Sequence, residues 1–253
     1  MVLDFLQQIN YYVCGLWETE MAMGKIIKRI KDVPVYGWVL GIVYFILQYA
    51  MYRLANLLSR VFGTIDWAFA PKIPFIDDNI PVISVFVVFY IFSYVFWICG
   101  PIIASLTEKR NFINYIIGLS AAYLIGFLIF LFMPTYMDRA AEGLMHFAER
   151  PGVFNALLKM VYGADGGDLA FNLFPSYHCL ISLYCYLGIR KREEVSKGVR
   201  IYSLVMTILI CMSTVFTKQH YFLDILGGLG ISLICYAVVQ KLDPGSRILK
   251  QKK

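Results

Sequence analysis

The sequence predicts an all-α fold: a polytopic membrane protein built as a six-transmembrane-helix bundle, with an N-terminal amphipathic segment. Two observations carry this. Of the 253 residues, 59% are apolar and only 16% charged, against roughly 45–50% and about 25% in a soluble domain; the mean hydropathy is +0.65. The apolar residues also gather into runs near the ~20 residues that a helix needs to cross about 30 Å of hydrocarbon.

Residues 1–33 mix Leu6, Ile9, Val13, Trp17, Ile26, Ile27 and Ile30 with polar positions. That pattern fits one or two amphipathic helices on the cytoplasmic membrane surface. It does not fit a cleavable signal, because the basic residues follow the apolar ones and no small-residue cleavage site stands after them. Residues 34–245 form the membrane domain. Its runs are Val35–Leu58, Pro81–Ser105, Phe112–Met133, Phe174–Ile189, Val199–Phe216 and Tyr221–Gln240. Unpaired backbone groups are not tolerated in lipid, so each run is read as a helix. The fourth and fifth are short. They reach spanning length only if Pro175–His178 and Thr217–Lys218 belong to the helices or cap them. Residues 246–253 read as a basic cytoplasmic tail.

Six crossings place both termini on one side. Of the 23 Lys and Arg residues, Arg60, Lys72, Arg139, Arg150, Lys159 and Lys218 fall on the opposite side, Arg53 lies inside the first run, and the other 16 share the side of the termini. The asymmetry puts the termini in the cytoplasm and predicts a multi-pass plasma-membrane protein. A net charge of +6 distributed in this way argues against a nucleic-acid partner.

The third loop, Pro134–Leu173, then faces outward. Ala140–Tyr162 could lie as a helix on the membrane surface, and Gly163–Asp168 reads as a turn. The six cysteines fall mostly inside apolar runs with no C-x-x-C pair, which fits packing residues. Gly227, Gly228 and Gly230 have no preceding strand, so close helix packing is expected of them rather than nucleotide binding.

Ionisable groups at membrane depth are expensive and mark function. Three segments carry them: Met133–Arg139, Asn172–His178 and Ser213–Asp224. The charge count places all three at outward helix ends. His220 and Asp224, four residues apart, share a helical face. A carboxylate there can fix the imidazole tautomer and leave the other ring nitrogen free to attack. His178 comes from another helix and could serve as general acid. Arg139 and Lys218 can supply positive charge to phosphoryl oxygens. His146 reads as an ordinary interfacial residue. A zinc site on the two histidines and Asp224 lacks a further ligand to complete its shell.

At these residues the chain resembles the type 2 phosphatidic acid phosphatase superfamily, whose signatures are K-x6-R-P, P-S-G-H and S-R-x5-H-x3-D. Pro175-Ser176-Tyr177-His178 matches the second, with Tyr177 for Gly. Ser213, His220 and Asp224 match the third, with Thr214 for Arg. In the first, Arg139 is present, but Phe132 and Ala140 stand for Lys and Pro. The patterns P-T-x3-R, N-x-F-P-S-x-H and K-Q-H-x3-D, with Ile73–Pro81, look closer to a branch of bacterial relatives of inositol phosphorylceramide synthase. The likeness covers roughly Ile73–Gln240.

The resemblance implies a six-helix fold and a mechanism that uses neither a metal nor another cofactor. It gives His220 the role of nucleophile forming a phosphohistidine, Asp224 that of its orienter, and His178 that of acid and base. Arg139, Ser176 and Asn172 are expected to bind phosphate, with Lys218 in place of a missing cation. The expected activity is hydrolysis of a lipid phosphate or diphosphate at the outer face. Transfer of a phospho-headgroup to a lipid or polyol acceptor is the alternative, and a non-enzymatic scaffold or transporter the second alternative.

Overall fold

The computed structural model describes residues 31–251. The amphipathic segment expected over 1–33 therefore lies almost wholly outside the described residues. Among the described residues, five helices are long and apolar enough to cross a membrane. They are α1 (Val35–Val61), α3 (Val87–Ala104, extended by a turn from Ser84), α4 (Lys109–Phe132), α8 (Lys197–Phe216) and α9 (Phe222–Leu242), which runs on into α10 (Pro244–Lys250). The short α2 (Pro74–Asp77) precedes α3.

The remaining predicted span, Phe174–Ile189, contains only the 13-residue helix α7 (Tyr177–Ile189). At 1.5 Å per residue it is roughly 20 Å long, short of the hydrocarbon thickness. Among the described residues, the six-helix expectation thus becomes five long helices and one short one. The helix starts late because Phe174 and Pro175 are not helical and Ser176 caps it, its Oγ accepting from the Cys179 amide at 3.4 Å. Most of α7 is buried, and it packs against α3, α4, α8 and α9. It runs beside α9 in the same direction. Ser176 N donates to Asp224 O (3.0 Å) near the start of α9, and Arg192 reaches Gln240 (3.5 Å) near its end. A helix enclosed by protein need not match the lipid thickness.

Burial on α1 follows one seam: Gly37, Gly41, Tyr44, Gln48, Ala55 and Ser59. Such spacing places one narrow stripe against the bundle and leaves the rest to face outward. The bundle core is aromatic, with Tyr44, Trp97, Tyr115, Tyr123, Tyr177 and Tyr184 buried together.

Residues 134–173 form a folded cap over one end of the bundle. β1 (Tyr136–Asp138) and β2 (Leu169–Phe171) pair antiparallel, Met137 opposite Ala170. Between them lie α5 (Leu144–Ala148) and α6 (Val153–Ala164). The single helix expected over Ala140–Tyr162 is instead two. Pro151 cannot donate in a helix interior, and Gly152 takes φ 131°, a region that glycine alone occupies readily. The turn expected at Gly163–Asp168 starts later: α6 runs through Gly163 and Ala164, and the turn occupies Asp165–Asp168, with Gly166 and Gly167 at φ 98° and 69°. Met137, Leu144, Leu158, Tyr162 and Leu173 pack the cap onto Val87 and Tyr90 of α3.

Two of the three glycines in α9 serve close packing. A Cβ on Gly228 would stand 2.4 Å from Ser176 O and 3.0 Å from Leu180 N; one on Gly227 would meet the Phe174 ring; Gly230 faces open space. Because Gly228 abuts backbone, Gly228→Ala is expected to destabilise the fold by about 1–3 kcal/mol and to disturb the α7 N-terminus. Gly230→Ala is expected to be silent. Thermal unfolding in detergent checks both.

Candidate active site

The turn from α8 into α9 is built around one carbonyl. Thr214 O accepts from Gln219 N (2.9 Å) and His220 N (3.1 Å), and Lys218 takes a left-handed φ of 49° to make the reversal. Tyr221 then caps α9, its amide donating to Asp224 Oδ2 at 2.8 Å. His220 Nδ1 lies 3.3 Å from the same oxygen. That is ion-pair distance but off the hydrogen-bond axis, so Nδ1 makes no formed hydrogen bond among the described residues. Asp224 is fully buried.

His178 is the second residue of α7. Its ring stacks on Tyr90 (centroids 4.0 Å, 24°) and touches Trp97 (4.8 Å) and Tyr94 (5.8 Å). Trp97 is held in turn by Ser182, its Nε1 donating at 2.9 Å. The two histidine rings are 5.8 Å apart, close enough to flank one tetrahedral group. His178 Nε2 is buried without a partner among the described residues.

Both histidines line a cavity of about 410 Å³. Its walls are mainly Phe45, Tyr49 and Tyr52 of α1, Tyr90 and Tyr94 of α3, Phe130 of α4, and Met160 and Val161 of α6. Asn172 and Gln219 also reach it. Tyr49 and Met160 on its lining are largely exposed, so the cavity opens past apolar side chains. An adjoining groove of about 340 Å³ shares Tyr52, Ala164, Asp165 and Phe171 with it and presents Arg53, Asn56 and Arg60 from α1.

The other predicted residues are placed unequally. Asn172, at φ 59°, lines the cavity; its Nδ2 donates to Tyr52 O (3.4 Å), and its Oδ1 is buried with no partner among the described residues. Ser176 is wholly buried and caps α7 instead of lining the cavity. Arg139 is also wholly buried and absent from the lining. Its Nη2 reaches Asp165 Oδ2 and Gln219 Oε1, both at 2.8 Å. Its Nη1 reaches the carbonyls of Gly167 (3.0 Å) and Asp165 (3.5 Å), and the guanidinium lies over the Tyr162 ring at 4.6 Å.

Lys218 points away from the histidines. Its Nζ donates to Asp77 O at 2.6 Å. Burial pushes its ammonium below the ordinary value, and Asp77 and Glu142 push it back up. Asp77 clamps this side: Oδ1 accepts from Phe222 N (2.8 Å) and Oδ2 from Ile73 N (2.6 Å). The structure therefore brings His178, His220 and Asn172 to the cavity, holds Asp224, Arg139 and Ser176 behind it, and separates Lys218. Among the described residues, no three His, Cys, Asp or Glu side chains converge as metal ligands.

Sequence reasoning missed Tyr90, Tyr94 and Trp97, the aromatic bed of His178. Their spacing of four and three residues sets them on one helical face, a signal that was present in the sequence. Gln219 was missed as well, although it precedes the proposed nucleophile. Thr135, another omission, accepts at Oγ1 from Leu173 N and Phe174 N (both 2.9 Å), which shapes the approach to α7.

A comparison with protein-family models matches residues 56–238 to the PAP2 superfamily. No curated protein and no solved structure matches the chain. The match covers well over half of the chain and includes both histidines, Asp224 and the cap. With its mostly helical membrane fold, the chain belongs to the PAP2 superfamily, the type 2 phosphatidic acid phosphatases and their relatives.

Proposed function

We propose that the protein hydrolyses a lipid phosphate or diphosphate through a phosphohistidine on His220, at the outer face of a plasma membrane. Membership of the PAP2 superfamily supports phosphatase or phosphotransferase chemistry on phosphate esters. The observation that carries the lipid reading is the pair of histidine rings 5.8 Å apart at a cavity walled by aromatic and aliphatic side chains. An acyl or prenyl chain can lie along those apolar side chains.

In this reading Asp224 holds the Nδ1 proton of His220, and Nε2 attacks phosphorus. The N–P bond forms as the P–O bond to the lipid breaks. Protonated His178 delivers its proton to the departing lipid oxygen. Neutral His178 next takes a proton from water, the water oxygen attacks phosphorus, and the N–P bond breaks. Inorganic phosphate leaves and both histidines return to their starting states. No step uses a metal, so activity is expected to survive chelation.

A second reading is transfer to an acceptor hydroxyl in place of water. The adjoining groove with Arg53 and Arg60 favours it by offering a seat for a second, anionic headgroup, and so does the likeness to the inositol phosphorylceramide synthase branch. Purified protein given phosphatidic acid alone decides between the two. Phosphate release without an acceptor supports hydrolysis; product formed only when a diacylglycerol or polyol is added supports transfer. Under transfer, replacing Arg53 and Arg60 with Gln is expected to raise the KM for an anionic acceptor roughly 10-fold and leave the donor KM unchanged.

A further inference from the structure

We propose that Gln219 donates its side-chain amide to the phosphoryl oxygens, and that Arg139 is a positioning residue that holds Gln219 and does not itself touch phosphate. The inference rests on the phosphoryl-transfer reading above and deepens it.

Arg139 has little left to offer a ligand. A guanidinium carries five N–H groups, four of them on the terminal nitrogens. Those two nitrogens already face Asp165 Oδ2, Gln219 Oε1 and the carbonyls of Gly167 and Asp165. The side chain is 0% exposed, its guanidinium lies over the Tyr162 ring, and among the described residues only Nε lacks a partner. The charge is further met by the Asp165 carboxylate at 2.8 Å.

Gln219 is the complement. Arginine has no acceptor, so only the Gln219 oxygen can face Arg139. The amide orientation is thereby set, and Nε2 becomes the outward end. Gln219 is 2% exposed, and Nε2 is buried with no partner among the described residues. Leaving such a donor unpaired is unfavourable, and a ligand rich in acceptor oxygens would recover the loss. The residue lines the same cavity as His178 and His220. Its backbone amide and that of His220 share one acceptor, Thr214 O, so donor and nucleophile are positioned by a single turn. The bond from Arg139 also polarises the amide and strengthens its N–H as a donor. The positive charge thus acts on phosphate at one remove.

A double-mutant cycle tests this, because coupled residues give non-additive losses. Gln219→Ala is expected to lower kcat/KM roughly 10- to 100-fold and to weaken orthovanadate binding, measured by titration calorimetry in detergent, by a similar factor. Arg139→Met should lose about as much, and the double variant no more than Gln219→Ala alone. Gln219→Glu, which keeps an oxygen toward Arg139 but replaces the donor by a carboxylate, should bind vanadate more weakly than Gln219→Ala. Losses that multiply in the double variant would show Arg139 acting on phosphate directly and overturn the proposal. Unchanged vanadate affinity in Gln219→Ala would overturn it too. Vanadate binding needs no turnover. A wild type that binds vanadate but hydrolyses no lipid phosphate therefore defeats the functional reading and leaves Gln219 still measurable, whereas a wild type that binds no vanadate defeats both.

Discussion

His220→Ala is expected to abolish turnover of lipid phosphates, a loss on the order of 10⁴-fold or more, with the fold intact. The size follows from the role. Water attacking phosphorus directly would need an activating base on the side where the nucleophile stood, and alanine supplies none. Asp224 cannot substitute, because it is fully buried and is not part of the cavity lining. The fold should survive because the turn is held by backbone. His220 N donates to Thr214 O, and the neighbouring Tyr221 N donates to Asp224 Oδ2. Steady-state rates together with thermal unfolding in detergent check this. A residual rate within about 100-fold of wild type would reduce His220 to a binding role.

The second large effect belongs to His178 and depends on the leaving group. His178→Ala is expected to slow hydrolysis of an alkyl lipid phosphate by about 10²–10⁴-fold, the usual reach of a general acid. With a phenolic leaving group such as p-nitrophenol, which departs without a proton, the first step should lose far less. A residue that merely packed among Tyr90, Tyr94 and Trp97 would slow both substrates alike. The readout is the ratio of the two losses in presteady-state bursts, since the later water attack needs His178 as base for either substrate.

The long spans were legible because length and hydropathy determine them locally. α1, α3, α4, α8 and α9 lie where the apolar runs predicted helices. α7 was misjudged in length, because its run includes Phe174 and Pro175, apolar residues that shape the approach to Ser176 and are not helical. Apolarity does not tell a helix enclosed by its neighbours from one facing lipid. The cap was half legible: Pro151-Gly152 carried the signal for a break, but the pairing of Tyr136–Asp138 with Leu169–Phe171 joins segments about 30 residues apart, beyond any local pattern.

In the site, residue type was informative and direction was not. His178, His220 and Asn172 reach one cavity. Lys218, two residues before His220, instead turns to Asp77 O, since a φ of 49° reverses the chain between them. Arg139 was recognised as important, yet its partners Asp165, Gly167 and Gln219 come from two other segments, so sequence alone could not show that its nitrogens are occupied. Tyr177, where the resembling signature has Gly, is accommodated by a residue far away in the chain. Its ring fits against Gly126 of α4, and its hydroxyl donates to Tyr123 O at 2.7 Å.

The central claim is a covalent phosphoryl group on His220. Its most direct test is to mix the protein with a lipid phosphate, quench in base within the first turnover, and map phosphorylated peptides by mass spectrometry. A base-stable, acid-labile phosphoryl group on His220, absent in His220→Ala and longer-lived in His178→Ala, is the expected result. Steady turnover with no phosphate on His220, or with the phosphate on His178 instead, would contradict it.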